Sequence, residues 1–383
     1  LAPSLIFLLL ARFVVGIGTA AIAPTVMSYI VTEFPLEQIA KGFSLYMLLS
    51  SASVIFGPSI GGIILQFGNW QTLMWISAGL CIVFFLLCFF THPKVHFTPQ
   101  PITNFDIPGA ILVIIFFSLL LCVPSFGQNF GWTSTSFLIV LLLSLISLVG
   151  LFLVEKKASH PILSASFMKR KEFVLPVIIL FLTQGLMQAN MTNTIVFINY
   201  TQPDNTVISG YAISIMYLGM SLGSILLGPL SDRFEPKRIL TGSLLLTGLG
   251  CALMLLYSIT TPLLILASAL GILGFGLGAN ATIFMKIVLT NLPVESAGLG
   301  TGTYGLFRDL AAPFGVAVFV PMFTNEITRL TSDSLAPLPP SRAAVDSIHM
   351  LSFIELFCIA IGILIVQFLP NIHKTNSLKG EHL

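Results

Sequence analysis

Eleven long apolar stretches, at 5–31, 42–65, 73–90, 107–126, 137–154, 173–198, 211–228, 239–259, 263–289, 298–320 and 351–369, dominate the chain. Each is about 17–27 residues long, enough for a helix to cross a hydrocarbon core of roughly 30 Å. The polar residues between them alternate in kind. The gaps after the first, third, fifth and seventh stretches, with the C-terminal tail, take Lys41, Lys94, Lys156, Lys157, Lys169, Arg170, Lys171, Arg233, Lys237, Arg238, Lys374 and Lys379, and Lys286 lies in the last turn of the ninth stretch, on the same side. The other gaps carry only Arg329 and Arg342, in one long loop, while Arg12 and Arg308 lie inside apolar stretches. Lys and Arg collect on the cytoplasmic side because cations resist translocation. The alternation therefore predicts an all-α, polytopic membrane protein with a cytoplasmic C-terminus. An odd number of spans puts residue 1 outside.

Composition narrows the class further. The chain is 56% hydrophobic and 8% charged, against roughly a quarter charged in soluble domains. Its net charge of +2 is spread over loops, so nucleic acid is not implied. The five cysteines (Cys81, Cys88, Cys122, Cys251, Cys358) all fall within apolar stretches and read as small core residues. Leu1 opens an apolar stretch without a basic leader. The expectation is that the chain begins partway through a longer protein.

The gaps group the stretches. Residues 1–92 hold three, 93–172 hold a pair flanked by Pro-bearing and basic links, and 173–383 hold six. The long external loop 321–350 contains Leu335-Ala-Pro-Leu-Pro-Pro340 and is expected to be irregular at that point. An internal repeat links the ends. Gly16-Ile-Gly18 recurs as Gly276-Leu-Gly278, Pro35-Leu-Glu37 as Pro293-Val-Glu295, and Pro58 has a counterpart in Pro313, in the same order. If the ninth and tenth stretches are the fourth and fifth helices of a six-helix repeat, three helices precede Leu1. Paired six-helix repeats are a transporter architecture with substrate bound near the midplane.

Several residues carry chemistry. Arg12 at membrane depth costs several kcal/mol unless it faces a cavity or a partner, or snorkels to an interface. Arg308 and Asp309 pose the same problem; about 100° apart on a helix, they are not expected to pair neatly. Gly57, Pro58, Gly61 and Gly62 combine close helix approach with a missing backbone donor, suiting a packed interface that opens and closes, or small-residue packing alone. In Gly228-Pro-Leu-Ser-Asp-Arg-Phe-Glu-Pro-Lys-Arg238, Asp232 can cap a helix, and Arg233, Lys237 and Arg238 can bridge to helix ends or anionic headgroups.

These motifs resemble those of the major facilitator superfamily, specifically its fourteen-span drug:proton antiporters. Gly228–Arg238 is similar to the family's cytoplasmic signature. Arg12, Gly16 and Gly18 resemble its fourth-span motif, and Gly57–Gly62 its antiporter motif. Lesser signatures are Asp106-Ile-Pro-Gly109 with Gly131-Trp132, Glu155 through Arg170, and Phe307-Arg-Asp-Leu310. The resemblance implies the major facilitator fold, with about 11 of 14 transmembrane helices present, the fourth and fifth stretches being two extra central helices. It also implies two half-bundles rocking about the helices of Gly57–Gly62 and Ala312–Gly315. The chain departs from the motif at Glu235, where the family has Gly, and lacks the first-span acid that the family commonly uses for proton coupling.

A substrate face is expected on the sixth stretch, where Gln184, Met187, Gln188 and Met191 share one side of a helix. Thioethers pack adaptably around varied molecules; the alternative is a helix–helix interface with Gln bonding across. Asn190 and Asn193 fall elsewhere and read as structural. Among intramembrane acids, Asp309 sits beside Arg308, and Glu355 is expected in a wet position near the external end of the last stretch. No catalytic or metal constellation occurs, so the chain reads as no enzyme. The expected function is proton-coupled efflux of small hydrophobic or amphiphilic drugs by a monomer in the cell membrane. Its partners would be lipid, drug and protons, its energy source the proton gradient, and no cofactor is implied. The alternatives are export of a narrow metabolite or lipid precursor, or a non-transporting truncated membrane protein.

Overall fold

The computed structural model describes residues 4–33, 39–91, 106–157, 171–203, 206–228, 230, 234–290, 297–332 and 337–369. Its helices follow the apolar stretches: α1 (Leu5–Glu33), α2 (Ile39–Phe67), α3 (Trp70–Thr91), α4 (Ile107–Phe130), α5 (Thr135–Glu155), α6 (Lys171–Thr201), α7 (Thr206–Leu227), α8 (Pro236–Leu253), α9 (Leu263–Thr290), α10 (Ala297–Ser332) and α11 (Pro340–Gln367). A 3-10 turn, Met254–Leu256, extends α8. No strand occurs among the described residues. Among the described residues, eleven helices are long and apolar enough to cross a membrane. On α5 the side chains Leu138, Leu142, Leu145, Ile146 and Val149 are exposed. Such an uninterrupted apolar face suits lipid and would be a liability in water. This is a multi-pass membrane protein.

The chain divides into two compact units, residues 1–93 and 94–383. In the first, α2 packs on α1 and α3, and few side chains are buried. In the second, α6–α11 enclose a core around Phe173, Phe197, Phe284, Phe323, Leu240 and Leu244. The α4–α5 hairpin packs on α10 through Phe117, whose ring meets Phe307 edge-on at 6.0 Å, and through Gln128 Nε2, which donates to Val318 O at 3.1 Å. Its sequence signature has a local cause. Asp106 caps α4 by accepting from Gly109 N at 2.9 Å. Gly131 turns the chain at a φ of +93°, and Trp132 lies over Gly127 so closely that a Cβ there would collide with the indole.

Residues 337–339 have no regular structure, as expected, but the loop is far shorter than 321–350. Helix α10 runs through Pro321 to Ser332, and α11 already begins at Pro340. Hydropathy falls at these ends, but polar residues sustain the helices. Glu326 pairs with Arg329 at 2.5 Å, the Thr324, Thr328 and Thr331 hydroxyls donate back to carbonyls four residues earlier, and Arg342 pairs with Asp346 at 3.8 Å. Pro340 occupies a first-turn position where its missing N–H costs nothing.

Candidate functional site

The most unusual chemistry lies in the core of the second unit. Glu355 occupies the middle of α11 and is fully buried. Its Oε1 accepts from Asn190 Nδ2 of α6 at 2.9 Å, and its Oε2 accepts from Cys251 Sγ of α8 at 3.4 Å. Asn190 Nδ2 also donates to Leu186 O at 3.0 Å, which fixes the amide. Among the described residues no Lys, Arg or His forms an ion pair with Glu355. The expected wet interfacial position is therefore incorrect. The apolar stretch beginning at 351 made Glu355 look terminal, whereas α11 starts eleven residues earlier. Asn190, read as structural, is the carboxyl's main partner.

Beyond this cluster, at the face where α6 ends and α11 begins, sits Tyr257. Its ring packs at 5.3 Å on Phe197, and its carbonyl lies 3.0 Å from His349 Nε2. Burial, then the neighbouring Cys251 and Glu355, push the phenol well above its usual range. Five buried polar atoms of α6, Tyr257 and α11 have no hydrogen-bonding partner among the described residues: Asn190 Oδ1, both amide atoms of Asn193, the Tyr257 hydroxyl and Ser347 Oγ. The other side of Glu355 is apolar. There Ile359 and Gly362 of α11 meet Gly248 and Leu244 of α8 and Leu182 of α6, and Val366 is fully buried.

The substrate-face residues of α6 lie along the same unit. Gln184 and Met187 are buried, Gln188 and Met191 half-buried. Met191 Sδ accepts from Tyr217 OH of α7 at 3.4 Å and lies 3.8 Å from Gln188 Nε2. A separate apolar cleft of about 190 Å³ is lined by Phe173, Val174, Val177, Ile178, Phe181 and Phe307.

Arg308 and Asp309 pair directly, Nε to Oδ1 at 2.9 Å, with both side chains exposed within the unit. The expectation that neighbours cannot meet was wrong, because Arg reaches back along the helix surface. The flanking Phe307 and Leu310 turn inward onto α4. The signature Phe307–Leu310 thus splits into a packing face and an ion pair.

At the opposite end of the unit, Lys237 Nζ donates to Gln367 O at 2.5 Å and to Leu369 O at 3.3 Å. It caps the carbonyl end of α11, where a cation also meets the helix dipole. Arg238 pairs with Glu235 at 3.4 Å on the surface. Glu235 has φ −56°, so its backbone does not need the glycine that the motif leads one to expect. Gly228 is buried, while Asp232 and Arg233 lie outside the described residues. A cleft of about 600 Å³ opens beside Glu235, Lys237, Arg238, Thr241 and Gln367.

In the first unit, Arg12 is exposed and makes no ion pair or hydrogen bond among the described residues. A Cβ on Gly16, Gly18 or Gly57 would meet nothing within 4 Å, and one on Gly61 would reach only Leu73 at 4.0 Å. Pro58 lies inside α2, and Gly62 is buried. Cys81, Cys88 and Cys122 are exposed rather than core.

The close glycine crossings are in the second unit. A Cβ on Gly219 or Gly223 of α7 would collide with the carbonyls of Gly271 or Phe275 of α9, and one on Gly274 or Gly278 of α9 with those of Met216 or Met220. Gly315 of α10 and Gly185 of α6 make a similar crossing. Sequence reading missed the α7–α9 crossing, although the Gly-x-x-x-Gly spacing at 219–223 and 274–278 signals it.

Comparison with known proteins places this geometry in context. The model of the Major Facilitator Superfamily matches residues 1–316. The chain is 28% identical over 355 residues to the Multidrug transporter protein MdtP of Bacillus subtilis, an alignment covering 91% of this chain and 64% of MdtP. It is 24% identical over 337 residues to Multidrug resistance protein 3 of the same species, covering 87% and 65% respectively. The chain thus spans under two thirds of the length of each relative. The crystal structure of a bacterial homologue of the human lysosomal transporter Spinster, inward-facing and occupied, matches with a TM-score of 0.57 at 15% identity, over 96% of this chain and 77% of that one. That likeness establishes the fold.

Proposed function

The chain belongs to the Major Facilitator Superfamily, and on that premise we propose that the protein exports small hydrophobic or amphiphilic compounds by alternating access, driven by protons. The observation that carries the reading is the α6 face. Two amides and two thioethers line it, and Tyr217 reaches the Met191 sulfur from α7. Thioethers adapt to many shapes, and amides and a phenol give adjustable hydrogen bonds. Such a surface suits varied compounds better than one rigid ligand. The two relatives named as multidrug proteins support the same class, and the antiporter-like motif at Gly57–Gly62 supports export against a proton gradient. The site needs no cofactor. In this reading the protein works as a monomer in the cell membrane with its C-terminus in the cytoplasm, and contacts lipid, compound and protons only.

The test is the susceptibility of cells expressing the full-length gene to a panel of cationic and neutral dyes and antibiotics. Lowered sensitivity to several unrelated compounds, lost in Gln188→Leu, Met191→Ala double variants that still reach the membrane, is the expected result. Unchanged sensitivity across the panel overturns the multidrug reading.

A further inference from the structure

The asymmetry around Glu355 is not explained by packing. Asn190 and Tyr257 adjoin the carboxyl, and toward the end where α6 finishes and α11 begins the same helices carry further buried polar atoms without partners among the described residues: Asn190 Oδ1, Asn193, the Tyr257 hydroxyl and Ser347 Oγ. Ser347 lies eight residues from Glu355 on α11, about 12 Å of helix rise. Buried polar atoms without protein partners each cost about 1–3 kcal/mol, and ordered water is their usual partner. Toward the other end, Ile359 faces Gly248 and Gly362 faces Leu244 and Leu182 with no side-chain polar atom in these contacts, and Val366 is fully buried. The first side offers sites for water, while the Ile359 and Gly362 contacts offer none; the buried Ser243–Asn280 pair lies between α8 and α9 instead.

We propose that Glu355 is a proton-binding site, loaded from the external face through a hydrated slot lined by Asn190, Asn193, Tyr257 and Ser347, with Ile359, Gly362 and Val366 as the cytoplasmic seal. The proposal rests on the export reading for its sidedness. The chemistry is a single step: a hydronium ion relayed along the slot gives its proton to one carboxylate oxygen and leaves water, and Glu355 becomes neutral. Among the described residues no cation pairs with the charged form. On α10, Arg308 pairs with Asp309 and Arg329 with Glu326; on α11, Arg342 pairs with Asp346. The titratable groups that act on the carboxyl are Cys251 of α8, Tyr257 beyond the 3-10 turn and Cys358 of α11 itself, with His349 of α11 held on the Tyr257 carbonyl; α6 contributes Asn190. None of these is a fixed cation. The bond from Asn190 Nδ2 leaves Glu355 Oε1 tethered in either state, while Oε2, held only by the weak Cys251 thiol, is the oxygen free to take the proton.

Infrared difference spectroscopy on the full-length protein, in right-side-out vesicles and stepped between acid and neutral external pH, tests this. A carboxylic C=O band should appear at acid pH, vanish in Glu355→Gln and return at a shifted position in Glu355→Asp. It should shift within seconds in D2O, and Asn193→Leu should slow that exchange at least tenfold. Glu355→Gln keeps an acceptor for Asn190, so it should elute and melt like the wild type. The proposal is overturned if the band is unchanged in Glu355→Gln, follows only the internal pH, or resists D2O for hours. Compound-driven proton release undiminished in Glu355→Gln also overturns it. Wild-type protein that moves no compound but shows the band retires the export reading and leaves the proton site standing.

Discussion

Replacing Gly278 with Ala isolates the crossing on which the second unit is built. Its Cβ would fall on the carbonyl oxygen of Met220, and that oxygen belongs to a helical peptide that cannot rotate aside. Restoring a contact of about 3.5 Å requires α7 and α9 to separate by more than an ångström. Separation also loosens the neighbouring crossings at Gly219, Gly223 and Gly274. Overpacking of this kind costs about 1–3 kcal/mol, offset by up to about 1 kcal/mol because Ala favours the helix over Gly. A net loss of about 2 kcal/mol lowers the melting temperature of a unit of this size by roughly 4–8 °C. Gly242→Ala is the internal control: a Cβ there meets nothing within 4 Å, so only the favourable helix contribution remains. The assay is thermal stability by size-exclusion elution after heating in detergent. Equal melting of Gly278→Ala and Gly242→Ala would refute the close-crossing argument.

Three further outcomes follow from other contacts. Lys237→Met removes the cap on Gln367 and Leu369 carbonyls and should cost about 0.5–2 kcal/mol in the same assay, whereas Arg238→Met, whose pair with Glu235 is largely exposed, should cost under about 1 kcal/mol. Equal losses would contradict the capping role. Burial raises the Tyr257 phenol, so its contribution to stability is complete below the ordinary phenol pKa of about 10 and is lost as pH climbs from there toward the higher folded value. Tyr257→Phe should therefore flatten the alkaline part of the stability–pH curve; an unchanged curve would contradict this. Gln188→Leu alone should alter the relative resistance to polar and apolar compounds without lowering the melting temperature.

Spans, their order and the family were written in the apolar periodicity and in the motifs at Arg12, Gly57–Gly62 and Gly228–Arg238, because lipid imposes a simple hydropathy code. Helix ends were not. Glu326, Arg329, Arg342 and Asp346 extend α10 and α11 past the apolar stretches by local pairing, which a hydropathy boundary cannot register. That error carried over to Glu355, which looked terminal only because α11 was read too short. The Asn190–Glu355–Cys251 cluster joins three helices far apart in sequence, and no local pattern encodes such a meeting. The α7–α9 crossing, by contrast, was readable from glycine spacing. Arg308 and Asp309 defied an argument from Cβ directions because a long flexible guanidinium side chain is not bound by them.

The most direct test of proton-driven export is flux in inside-out vesicles containing the full-length protein, with the lumen acidified relative to the medium. Adding an amphiphilic cation such as ethidium should bring its accumulation in the lumen together with lumenal alkalinisation. Both signals should vanish when the pH gradient is collapsed. Accumulation that persists without the gradient, or a lumenal pH indifferent to the compound, would contradict the account.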